Sequence, residues 1–188
     1  VRALRAALVG VIAGVLLAGC APTERPATSI DAPVVDAQLE YLSTYWDDRN
    51  VEVYGSLDGT DCVNFTSQGL IERGWEMDED WWHLQVLGIN QYSSAWVSST
   101  AFSEYLAAHP DTATVVDATG AVVGDIVQFD YDNSGNRDHT ATISAIDPDG
   151  TIRLVQHSDD ALDRSVAEQL AEHDEGGGVV YYWHLAER

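Results

Sequence analysis

The chain has 188 residues, and its nine arginines and no lysine stand against 31 acidic residues, for a formal charge of −22. A field of that sign excludes nucleic acid and anionic lipid headgroups as partners of the folded domain. Hydrophobic residues make up 45% of the chain and six residues are tryptophan, which excludes a disordered acidic segment.

Residues 1–19 read as a targeting segment. Arg2 and Arg5 precede an apolar run from Ala6 to Val15, followed by Leu17, Ala18, Gly19 and Cys20, the layout of a secretory signal peptide. Gly10 and Gly14 interrupt the run, which falls short of the roughly 20 residues a spanning helix needs. "LAGC" resembles the lipobox of bacterial lipoproteins. That resemblance implies cleavage before Cys20, lipidation of its sulfur, and export to the outer face of the cytoplasmic membrane. Residues 20–35, with three prolines, then form a flexible linker, and one domain runs over 36–188. Without Arg2 and Arg5 the charge is −24. Cys62 is left as the domain's single cysteine, and a lone thiol in an exported protein asks for a function.

"DAQLEYLSTYWDD" places Leu39, Leu42, Tyr45 and Trp46 at helical spacing, predicting a first amphipathic helix from about Asp36. A second is expected from Cys62 to Arg73, capped by Thr60 or Asp61 and stopped by Gly74. Residues 75–98 resist assignment, and Ser99 to His109 predicts a short helix ended by Pro110. After "DATGAVVGD" the pattern changes to β-branched and aromatic runs: "DIVQFDY", "HTATISAI", "TIRLVQH" and "GVVYYWHL". Helices followed by an antiparallel meander predict an α+β domain, with the helices on one side of the sheet. "DDALDRSVAEQLAEHDEGGG" is expected to be a short exposed helix and a glycine loop.

A thiol attacks as its thiolate, which the N-terminus of a helix favours and a nearby base generates. Cys62 has the first condition. For the base, "HTATISAI" and "TIRLVQH" flank "DPDG", and His139 and His157 each lie nine residues from Pro148. A hairpin closed there sets them opposite each other at about 5 Å between Cβ atoms. One imidazole then acts as base and the other orients it, with Asp159 the competitor for orienter. On this parity Ala141, Ile143 and Ala145 share the face of His139 and suit burial under a helix.

"DCVNFTSQGL", "GDIVQFDY", "DHTATI" and "LVQHSDD", in this order, resemble the putative amidase domain family, a relative of the NlpC/P60 and CHAP groups of papain-like cysteine hydrolases. The resemblance implies a papain-like fold. It also implies Cys62 as nucleophile, His139 as general base and acid, and His157 as the third residue. The backbone N–H of Cys62 is implied for the oxyanion hole. Val63 departs from the threonine more usual in the family. No metal and no cofactor are implied.

Asp130, Asp132, Ser134, Asn136 and Asp138 imitate a calcium loop around Gly135, but without the glutamate that completes an EF-hand. A polar hairpin loop delivering His139 is the expected reading. Of Trp75, Trp81, Trp82, Trp96 and Trp183, most are expected in the core, with Trp82 and Trp96, beside Asp61, lining a substrate cleft. His83, His109, His173 and His184 read as surface or structural. The expectation is a lipid-anchored cysteine amidase or peptidase whose substrate is peptidoglycan or another wall peptide. The opposing class is a non-catalytic surface lipoprotein that binds such a peptide or a protein partner.

Overall fold

The computed structural model describes residues 32–173 and 175–186. The signal segment, Cys20 and most of the linker lie outside the described residues.

The helical half comprises α1 (Ala32–Tyr45), α2 (Val51–Tyr54), a 3-10 turn (Asp58–Thr60) and α3 (Cys62–Glu72). The hairpin β1 (His83–Val86) and β2 (Ile89–Tyr92) follows, then α4 (Ser94–Val97) and α5 (Ser99–Ala108). The sheet half comprises β3 (Ala113–Val116), β4 (Ile126–Asp130), β5 (His139–Ile146), β6 (Ile152–Gln156), β7 (Ala161–Ser165), α6 (Val166–His173) and β8 (Val179–Leu185).

The large sheet has the order β3-β8-β4-β5-β6-β7, every pairing antiparallel. The architecture is therefore α+β, as expected, but two features differ from a meander under one helical layer. β8 returns to insert between β3 and β4, and helices cover both faces. On one face Val63 and Leu70 of α3 and Phe102 and Leu106 of α5 pack with Ile126 and Trp183. On the other, Val166 and Leu170 of α6 pack with Val127, Phe129, Ala141, Ile143 and Leu154. All five residues of β4 are buried, because its alternating side chains find apolar cover on both sides. The run from Asp159 was expected to be a short exposed helix and a glycine loop; the helix is Val166–His173, and it is preceded by the edge strand β7, which was not expected.

α1 begins at Ala32, ahead of the expected Asp36. It crosses α3 at Gly69, where an added Cβ would come within 2.9 Å of the Leu42 side chain. α3 ends as its sequence predicts: Gly74 takes φ +95, its N–H reaches Ile71 O at 2.9 Å, and Trp75 N–H reaches Leu70 O at 2.9 Å. That pair of bonds around a left-handed glycine closes the helix. α5 starts on the Ser98 hydroxyl, which accepts from Ala101 N–H at 3.3 Å.

The β5–β6 hairpin corrects the expected pairing of histidines. Asp147 N–H bonds Thr151 O at 2.9 Å, so the turn centres on Asp149 rather than Pro148. A bulge between Ile143 and Ala145 then shifts the register again, leaving Thr142 opposite Val155. Continued upward, this ladder faces His139 with Ser158 and places His157 on the other side of the sheet, since a one-residue slip exchanges faces. Ala141 and Ile143 accordingly pack in the α6 cluster rather than under α3.

Candidate active site

Cys62 is the first residue of α3 and is buried, with 6% of its surface exposed. Three residues from two elements, α5 and β5, converge on its sulfur. From α5, Ser99 Oγ lies 3.6 Å from Sγ. Thr140 of β5 donates its hydroxyl to Ser99 Oγ at 2.9 Å, so the serine's own proton is left to point at the sulfur. The serine is fixed in turn by Gln128 of β4, whose side-chain N–H groups reach Ser99 O at 2.8 Å and Thr140 Oγ1 at 3.0 Å. The Trp183 indole N–H orients that amide by donating to Gln128 Oε1 at 2.9 Å.

The third contribution comes from His139, at the start of β5 and 5% exposed. Burial pushes the Cys62 thiol up. The hydrogen bond and charge of His139 work against this, joined by the Ser99 hydroxyl and the Thr140 N–H, and together they bring it down to about 7. A thiol so placed is substantially thiolate at neutral pH, which is what a sulfur nucleophile needs.

His157 does not orient His139. Its Nδ1 bonds Asp61 Oδ2 at 2.7 Å and its Nε2 bonds Tyr45 O at 2.8 Å. Both ring nitrogens are thus engaged, and neither is left for another imidazole. The ring stacks on Phe65 of α3, with centroids 3.6 Å apart. Asp159 is likewise engaged elsewhere, by Arg164 and by His173 Nε2 at 2.8 Å.

Asp61 is 1% exposed and does not line a cleft. It sits at the cap position of α3 without capping it with its side chain. Its Oδ1 instead accepts from Leu57 N–H and from the Asn64 side chain, each at 2.9 Å, while Oδ2 holds His157. Burial raises its carboxyl, but the bonds from His157, Asn64 and Leu57 outweigh that and leave it below its ordinary value. Asp61 and His157 thus lock the start of α3 to the chain leaving β6.

The Cys62 N–H, implied for an oxyanion, donates to Ser158 Oγ at 3.0 Å. Ser158 holds the left-handed backbone value φ +74, a conformation that costs a non-glycine residue energy and that the surrounding contacts must hold. Trp96 is fully buried and gives its N–H to Asn64 Oδ1 at 2.8 Å, so it belongs to the core with Trp75, Trp81 and Trp183. Trp82 alone of the five is half-buried. The other histidines have local partners: His83 with Asn90, His109 with Tyr105 O, and His184 with Asp125.

The Asp130–Asp138 segment is a hairpin loop leading into His139. Asp130 accepts from Ser134 and Gly135 N–H at 2.9 and 2.8 Å, and Asp138 from Tyr131 N–H at 2.7 Å. These bonds shape the loop, with the Asp130, Asp132 and Asp138 carboxylates gathered within 4.8 Å. Beside it lies a cavity of about 180 Å³ lined by Tyr131, Asp132, Asp138 and Glu175.

Sequence reasoning missed Ser99, Thr140, Gln128 and Ser158. Gln128 stood within a motif block and Ser158 beside His157, yet only the register shows where each points.

A buried thiol at a helix start, lowered by a histidine from a neighbouring strand, is the candidate site on this α+β scaffold. The family model described as "Putative amidase domain" matches residues 35–182, and the chain belongs to that family. No curated protein and no solved structure matches the chain.

Proposed function

We propose that the chain is a papain-like cysteine hydrolase that cleaves amide bonds in peptidoglycan or another wall peptide. The observation that carries this reading is the Cys62 thiol, brought to about 7 chiefly by His139.

In this mechanism the Cys62 thiolate adds to the amide carbonyl carbon, and the negative charge moves to the carbonyl oxygen. The C–N bond then breaks as protonated His139 gives its proton to the leaving amine, leaving a thioester. Water, deprotonated by His139, attacks the thioester and releases the carboxylate and the thiolate. The developing oxyanion takes the Cys62 N–H, so the substrate oxygen replaces the Ser158 hydroxyl that holds this donor at 3.0 Å. The hydroxyl thereby marks where a carbonyl oxygen sits.

Tyr131, Asp132, Asp138 and Glu175 line the cavity beside the loop that delivers His139. Its carboxylates favour a substrate with an amino group near the scissile bond, as in wall peptides carrying a free side-chain amine. Export and lipid anchoring through Cys20 belong to the same proposal and rest on the N-terminal sequence.

One observation favours a second reading, a non-catalytic lipoprotein that binds a wall peptide: the Cys62 N–H is already taken by Ser158. Purified peptidoglycan incubated with the chain separates the two. Mass spectrometry is expected to find fragments with one new amine and one new carboxyl group per cut, absent with Cys62→Ser. Peptidoglycan left intact, or cut equally by both proteins, contradicts the hydrolase reading of this substrate.

A further inference from the structure

Two polar atoms near the site are buried and, among the described residues, have no hydrogen-bond partner: His139 Nε2 and Gln156 Oε1. Buried groups of this kind are rare in native proteins. Here one is a ring nitrogen that can donate and the other is an acceptor.

The sheet brings them together. Thr142 faces Val155, so one step along the ladder Ala141 faces Gln156, the last residue of β6. His139 lies two residues before Ala141 and on the same face, making His139 and Gln156 diagonal neighbours across the pair. Diagonal neighbours are within reach of each other when the side chains are long.

The Gln156 amide also has a fixed orientation. Its Nε2 donates to Asp159 O at 2.9 Å and to Gln169 Oε1 at 2.8 Å. Gln169 is held the same way round by Arg164, which donates to its Oε1 at 2.9 Å, and by its own Nε2, which reaches Tyr131 Oη at 2.8 Å. Both amide hydrogens of Gln156 are therefore used, and its oxygen cannot exchange places with its nitrogen. What remains is a buried acceptor on the His139 face with no donor.

We propose that Gln156 is the positioning residue for His139: the two atoms are not bonded to each other as the side chains stand, and a small shift of the imidazole lets Oε1 accept the ring N–H that does not serve Cys62. It fills the place that the sequence assigned to His157 or Asp159, and a chain of side chains through Gln169 to Arg164 on β7 supports it. The inference rests on the Cys62–His139 reading of the site.

Cys62, at the start of α3, is the ionisable group coupled to the imidazole, and Tyr131 beside the loop is coupled in turn to Cys62, Asp138 and Asp159. Asp159 is itself paired with Arg164 and His173. Gln156 also donates to Asp159 O and to Gln169, which holds Tyr131, so a Gln169→Leu control beside the Gln156 variants separates a shift passed through that network from one that reports on the His139–Gln156 bond.

The experiment is the rate of Cys62 alkylation by iodoacetamide against pH, in the intact chain, for wild type, Gln156→Ala, Gln156→Met, the Gln169→Leu control and His139→Ala. Losing the acceptor weakens the imidazolium that stabilises the thiolate. Gln156→Ala is then expected to move the midpoint up by about one pH unit, which slows alkylation near neutrality by about tenfold at most. Gln156→Met keeps the side-chain volume without the acceptor, and its midpoint is expected to rise likewise. If both Gln156 variants keep the wild-type midpoint while His139→Ala moves it, Gln156 is a packing residue and this inference is overturned alone. If His139→Ala also leaves the midpoint in place, the Cys62–His139 reading itself falls. Should Gln156→Ala fail to fold, the Gln156→Met midpoint decides: a value equal to that of wild type contradicts the bond.

Discussion

Cys62→Ser is expected to lower amide hydrolysis by about three orders of magnitude or more, the usual scale for loss of a nucleophile that acts together with its base. The environment of Sγ explains why a change of one atom matters so much. Ser99, Thr140 N–H and His139 converge on a sulfur whose proton leaves at about 7, and a hydroxyl in the same place keeps its proton at any pH the protein survives. The variant is nearly isosteric and keeps its helix position, so its melting temperature is expected to stay close to that of wild type. Steady-state hydrolysis of a wall peptide beside a thermal scan checks both halves of the expectation. A serine variant retaining a tenth of the activity would place the chemistry elsewhere.

The second large effect falls on stability. Asp61→Ala is expected to destabilise the fold by about 3 kcal/mol, the scale for removing one partner of a buried charged pair. The loss strands donors from three directions: His157 Nδ1, Asn64 Nδ2 and Leu57 N–H. Urea unfolding of the two proteins measures it, and a change below about 1 kcal/mol would mean that water replaces the carboxylate without cost. The sign with pH follows from the lowered carboxyl. The stabilisation is fully present above the ordinary value of 3.8 and is lost as pH falls through the lower value of the folded state. Because Asp61 directly precedes Cys62, the same substitution also loosens the helix start that carries the nucleophile.

Much of the helical half was legible because its signals are local. The apolar spacing of Leu39 and Leu42, the Gly74 stop and the Pro110 stop each act within a few residues, and α3 and α5 end where the two stops act. Four strands of the second half, β4, β5, β6 and β8, were legible for the same reason, whereas the edge strands β3 and β7 were not. Residues 75–98 were not, since the β1–β2 hairpin leaves Leu84, Leu87 and Ile89 exposed and so lacks the alternation that marks a half-buried strand.

The site itself was legible in part. Cys62 and His139 were named from the sequence, and the structure places them side by side. The third residue was misplaced for a definite reason: counting from Pro148 assumes an unbroken ladder, while the turn centres one residue later and a bulge follows. A slip of one residue reverses every side chain beyond it, so His157 turned to Asp61 and Gln156 came onto the face of His139. Asp61 was read as a cleft residue because acidic side chains are usually exposed; the histidine that lets it be buried comes from 96 positions away. Trp96 was likewise read as a cleft residue, and its burial depends on Asn64 accepting the indole N–H.

The central claim is that His139 makes Cys62 a nucleophile. The most direct measurement is the alkylation rate of Cys62 against pH in wild type and His139→Ala. The account predicts a wild-type midpoint near 7, and a His139→Ala midpoint displaced upward toward or beyond an ordinary cysteine value of about 8.5. Slow alkylation of wild type up to that ordinary value, or identical profiles for the two proteins, would contradict it.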